Sequence, residues 1–116
     1  MRVAIVGSRR RRDRQSVVDC VAGLPADTVI VSGACRGPDR WAAAAAVALD
    51  MPVAIHIPDP TGVRCRGEAA RRYHERNQRI VDDCARVIAF PAADRKGGTE
   101  DTIRRAIKAG KPVEIR

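Results

Sequence analysis

Three short segments carry residues suited to holding an anion. They are Gly7-Ser8-Arg9, Ser32-Gly33-Ala34-Cys35-Arg36-Gly37-Pro38-Asp39 and Gly97-Gly98-Thr99-Glu100-Asp101. Glycine lets backbone N–H groups approach a ligand, Ser and Thr add hydroxyl donors, and arginine grips phosphate with a forked pair of donors. Each segment follows a short apolar, β-branched run and precedes a helical pattern. Its amides therefore stand at a helix start, where unpaired N–H groups and the helix dipole favour negative charge. The ligand this chemistry suits is a phosphate, and with it a nucleotide-type molecule. Asp39 falls in a first helical turn, where its carboxylate either holds a ribose hydroxyl or complements the dipole. Glu100 and Asp101 do the same for the last helix, or one of them polarises a water or a sugar hydroxyl beside the phosphate. The spacing G-x-G-x-x-G is missing, which argues against a redox dinucleotide; no cofactor is expected.

A fourth candidate lies on a long helix. Ala70, Tyr73, Asn77, Ile80 or Val81, and Cys84 share one face by three-and-four spacing. Asn77 interrupts that apolar stripe, and a buried amide needs partners. It either braces a glycine loop or reaches a ligand. Arg72, Arg76 and Arg79 lie on an adjoining face, and Arg76, beside Asn77, is the one expected to point at the ligand. His56 and His74 have no partner in the pattern and receive no role.

The elements that must position these residues alternate regularly. Strands are expected at residues 2–6, 28–32, 53–57, 86–90 and 112–115, with helices at 13–24, 39–50, 67–84 and 99–109. Near-continuous apolar strands alternating with helices indicate an α/β fold, a parallel sheet covered on both faces. Right-handed crossovers put the loops after the strands along one edge. The order 3-2-1-4-5 places a switch point between the first and fourth strands, where the Gly7 and Gly98 loops face each other. Gly110 suits the end of the last helix.

Residues 1–116 are read as one domain, large enough to fold without metal or disulfide. Hydrophobic residues make up 45%, with only Trp41, Tyr73 and Phe90 aromatic. The net charge is +8, carried by nineteen Arg and three Lys, which supports an anionic partner without naming one. Cys20, Cys35, Cys65 and Cys84 show no metal-ligand spacing and read as reduced thiols. The chain opens directly into a strand and holds no run of membrane-spanning length, so a cytoplasmic protein without membrane contact is expected.

Together, Gly7-Ser8-Arg9, Ser32-Gly33-Ala34-x-Arg36-Gly37-x-Asp39, Arg76-Asn77 and Gly98-Thr99 resemble the SLOG superfamily. They are closest to its small stand-alone YspA/YpsA-related branch, over nearly the whole chain. The resemblance implies a Rossmann-like three-layer sandwich that binds a nucleotide or nucleotide-derived ligand as a sensor, carrier or sequestering module. Through the related LOG phosphoribohydrolases it also implies an alternative, cleavage of a nucleoside monophosphate at its N-glycosidic bond. There Arg76, Asp101 and Glu100 would act, although the LOG run Pro-Gly-Gly-x-Gly-Thr-x-Glu is only partly present. Through DprA it implies a third, single-stranded DNA binding, which the charge favours and the scarcity of aromatics opposes. A homo-oligomer is left open.

Overall fold

The computed structural model describes residues 1–116. In chain order the elements are β1 (Arg2–Gly7), α1 (Arg14–Ala22), β2 (Val29–Ser32), α2 (Pro38–Ala48) and β3 (Val53–Ile55). These are followed by α3 (Arg66–Asp82), β4 (Arg86–Phe90), α4 (Gly98–Lys108) and β5 (Val113–Ile115). All five strands are parallel, in the order β3-β2-β1-β4-β5. The expected α/β fold and strand order are those observed.

The strands are apolar on both sides because each side meets a helical layer. Val3, Ile5, Ile30, Ile88 and Phe90 face α1 and α2, packing on Val17, Val21, Ala42 and Ala46. Ala4, Val6, Val31, Val87 and Ala89 face the other way, onto Ile80, Val81, Ile103 and Ala106 of α3 and α4. Period-two alternation thus divides one apolar run between two cores. No helix is long and apolar enough to cross a membrane.

Boundaries differ where a neighbour decides them. β3 ends at Ile55 rather than residue 57 because its partner β2 ends at Ser32, where the chain turns away. His56 N–H still bonds Ser32 O, but the Ile57 carbonyl is taken by Arg79 Nη2. α1 stops at Ala22, not residue 24, with Gly23 donating back to Asp19 O.

The sheet packs tightly at its switch point. A Cβ on Gly7 would lie 2.5 Å from the Pro38 ring and 2.8 Å from Phe90 O, so only glycine lets α2 begin this close to β1. Gly37, at φ +91°, lies against the Arg9 backbone and Ser8 O. The loops after β1 and β2 are therefore one packed unit.

Candidate functional site

The loops after β1, β2 and β4, with one face of α3, enclose a cleft of about 510 Å³ at the carboxyl edge of the sheet. Ten residues singled out from the sequence line it: Gly7, Ser8, Arg9, Arg36, Asp39, Arg76, Asn77, Gly97, Gly98 and Thr99. The β1 loop is shaped by its own hydroxyl. Ser8 N–H bonds Phe90 O across the switch point, and Ser8 Oγ accepts the Arg10 N–H at 3.1 Å. Ser8 lines the cleft, and its hydroxyl donates to no acceptor within the chain. Opposite, Gly97 takes φ +112° to turn the chain into α4, and Gly98 and Thr99 present the first-turn amides and a hydroxyl. Arg9 and Arg36 are exposed at the rim.

Behind this surface lies a polar network that holds the loops in place. Arg76, only 5% exposed, donates from Nη1 to Gly33 O at 3.0 Å, from Nη2 to Cys35 Sγ at 3.2 Å, and from Nε to Asn77 Oδ1 at 3.1 Å. Asn77 Nδ2 passes the chain on to Asp101 Oδ2 at 3.1 Å, which also accepts from Arg105 Nε at 2.8 Å. Asp39 ties the other side together. Its Oδ1 accepts the Gly7 N–H at 3.0 Å, and its carbonyl accepts the Ser32 hydroxyl. Burial pushes the Asp39 carboxyl up to about 6, against the pull of the Gly7 amide and the Arg76 cation.

The other residues singled out from the sequence lie behind or beside the cleft. Gly33, Ala34 and Gly37 do not line the cleft. A Gly33 Cβ would lie 2.8 Å from Arg76 Nη1, so that glycine makes room for the guanidinium. Ala34, at φ 55°, gives its N–H to Ser32 Oγ, and Gly37 is spent on packing against Arg9. Arg76 reaches the cleft, but three of its five N–H donors are taken by internal acceptors. Asp101 and Glu100 stand outside the lining. Burial opposes ionisation of Asp101, yet hydrogen bonds from Arg105 and Asn77 hold it below the usual carboxylate range. Glu100 is paired with Arg95 at 2.9 Å. Asp39 is the one carboxylate lining the cleft. His56, given no role from sequence, bonds Asp83 at 2.7 Å, where Arg2 also binds.

The cleft also contains residues that pattern reading missed. Arg10, Cys35, Ala70, Tyr73, His74, Lys96 and Thr102 line it as well. Thr102 follows Thr99 by three residues and Tyr73 precedes Asn77 by four, so helical spacing pointed to both. Arg10 is held at the rim by Asp94, at 2.6 Å. No group of three His, Cys, Asp or Glu side chains is arranged to hold a metal ion.

No family model matches the chain, and no curated protein matches it. Among solved structures, the X-ray structure of DNA processing protein A (DprA) from Streptococcus pneumoniae matches with a TM-score of 0.82 at 25% identity. The chain is similar in fold to DprA. The match covers 98% of this chain and 49% of that one, so the chain spans about half the length of its structural relative. This supports the DprA side of the resemblance seen in the motifs.

The network makes a direct expectation for Asn77. Replacing it with Leu fills the same space but removes the acceptor of Arg76 and the donor to Asp101. Asn77→Leu is expected to lower stability by about 2 kcal/mol, because both partners are left short of a bond in a largely dry setting. Chemical denaturation of the variant checks this. Unchanged or raised stability would show that the amide serves something other than the loops.

Proposed function

We propose that the chain binds a phosphorylated nucleotide unit in this cleft. The phosphate lies between the Gly7-Ser8 loop and the Gly98-Thr99 helix start, with Arg9 beside it. The observation that carries this reading is Gly98. It begins α4 with ordinary helical backbone, and a Cβ there would meet no atom within 4 Å. Nothing in the fold requires glycine at that point, where glycine adds backbone entropy to be lost on folding and no side chain to pack. A ligand that must reach the α4 amides does require it.

A second reading takes the same unit as part of a single strand of nucleic acid, and two observations favour it. The solved structure that the chain resembles is that of a DNA-processing protein. The structural comparison therefore weighs toward a polynucleotide more than toward a free nucleotide. In addition, Arg9 and Arg36 line the cleft, are exposed and make no ion pair. Exposed cations without ion pairs at the cleft mouth are what a phosphate backbone would need. The hydrolase reading has weaker support, since neither Asp101 nor Glu100 reaches the cleft. Membership of the YspA/YpsA-related branch rests on the motifs alone.

The test is titration of the chain with AMP and with a deoxythymidine oligomer at two salt concentrations. Tight oligomer binding that falls steeply with salt while AMP binds weakly selects the strand. Salt-tolerant AMP binding selects the nucleotide. In either case Gly98→Leu is expected to keep its melting temperature and weaken binding by tenfold or more, about 1.4 kcal/mol. Full binding by Gly98→Leu would remove the α4 start from the site.

A further inference from the structure

Resting on that reading of the cleft, we infer that Tyr73 is the platform on which the site stacks its ligand's base. The site would then select base-bearing phosphates over bare sugar phosphates. Of the three aromatic residues, Phe90 is sealed in the core and Trp41 packs against the layer of α1 and α2. Tyr73 alone lines the cleft, and it is 47% exposed there.

Its position follows from the network beneath it. Asn77 and Asp101 are bonded to each other, and α3 and α4 both run back from the carboxyl edge of the sheet. One turn toward each helix start from that bond come Tyr73 on one side and Gly97 on the other. The two therefore flank the cleft at one level. Gly97 and Gly98 offer no side chain, and a Cβ at either would meet no other part of the fold within 4 Å. A flat ring entering against Tyr73 meets an unobstructed wall.

The tyrosine is also held by a neighbour on its own helix. The Arg76 guanidinium carbon lies 5.6 Å from its ring centroid, and Arg76 is fixed by Gly33 O, Cys35 Sγ and Asn77 Oδ1. A cation at that distance is attracted to the ring face, so one face of the ring is held by a guanidinium that three internal hydrogen bonds restrain. A restrained aromatic surface beside phosphate-binding amides fits the stacking mode by which proteins hold nucleotide bases, which tolerates any base.

The experiment compares each base-bearing probe with its base-free counterpart: AMP against ribose 5-phosphate, and a deoxythymidine oligomer against an abasic one. Calorimetric titration uses the unmodified chain, Tyr73→Phe and Tyr73→Leu. Melting temperatures confirm that both variants fold, as the exposure of Tyr73 leads one to expect. The expected result is a tenfold or greater loss of base-bearing affinity in Tyr73→Leu and less than twofold in Tyr73→Phe. Base-free probes should bind all three alike. Equal losses for both kinds of probe, or no loss in Tyr73→Leu, would overturn the platform while leaving the phosphate site standing. If no probe binds the unmodified chain, both the platform and the proposed function fall.

Discussion

Arg76→Met is expected to lower the stability of the chain by about 3 kcal/mol, although Met keeps most of the apolar bulk of the arginine stem. The loss comes from the acceptors left behind. Gly33 O and Asn77 Oδ1 each receive one of the guanidinium N–H groups, and both lie in buried residues. A buried acceptor stripped of its donor costs about 1–3 kcal/mol, and here two are stripped together. Asp39 loses the cation that favours its charged form. Urea denaturation at neutral pH measures the change as a shift in midpoint with an unchanged slope. A loss below about 1 kcal/mol would mean that water enters and replaces the guanidinium. The expectation also separates two roles for this residue. If Arg76 bound the phosphate directly, its removal would reduce affinity far more than stability. The three internal bonds argue for the reverse ordering, with Arg9, free of ion pairs at the rim, the arginine whose loss is felt first in binding.

The fold was legible because its signals are local and repeated. β1 and β4 read as strands from unbroken apolar runs, and right-handed crossovers with glycine at Gly7 and Gly98 sufficed to choose the strand order. The cleft was legible for the same reason, since amides at helix starts lie wherever strands end. What was not legible depends on contacts between distant segments. Gly33 looks like a ligand-approach glycine, and only the arrival of Arg76 from forty-three residues away shows that its missing Cβ serves a guanidinium. Asp101 sits where the resemblance to LOG proteins puts an acid, yet Asn77 and Arg105 hold it outside the cleft lining. Helical spacing placed Asn77 on an interior face but could not say which neighbour would take its amide. His56 was opaque for the same reason, because Asp83 reaches it through the packing of α3 against the sheet edge.

Asp39 gives the second large effect, and it is read in pH. Burial raises its carboxyl from 3.8 to about 6 in the folded chain, while the unfolded chain keeps the lower value. Between those values the folded state holds a proton that the unfolded state has released, so stability falls as pH rises through that window. Below about pH 3.8 the two states are equally protonated at this site, and above about pH 6 the full penalty is present. Roughly two pH units at about 1.4 kcal/mol each give a loss of about 3 kcal/mol. Other carboxylates work in the opposite direction. The Arg11 hydrogen bond lowers Asp13, and Arg2 does the same for Asp83, so they lose stability as pH falls through their folded values. The unmodified profile is therefore a sum of opposed slopes, and a variant is needed to isolate one. Asp39→Asn keeps an oxygen to accept the Gly7 N–H but cannot ionise. Denaturation of both proteins from pH 4 to pH 7 should show the unmodified chain losing about 3 kcal/mol relative to the variant as pH rises. A difference independent of pH would mean that Asp39 titrates as an ordinary exposed carboxylate. In that case the Gly7 amide and Arg76 would together offset its burial fully, and the β1 loop would carry its charged partner at no cost in stability.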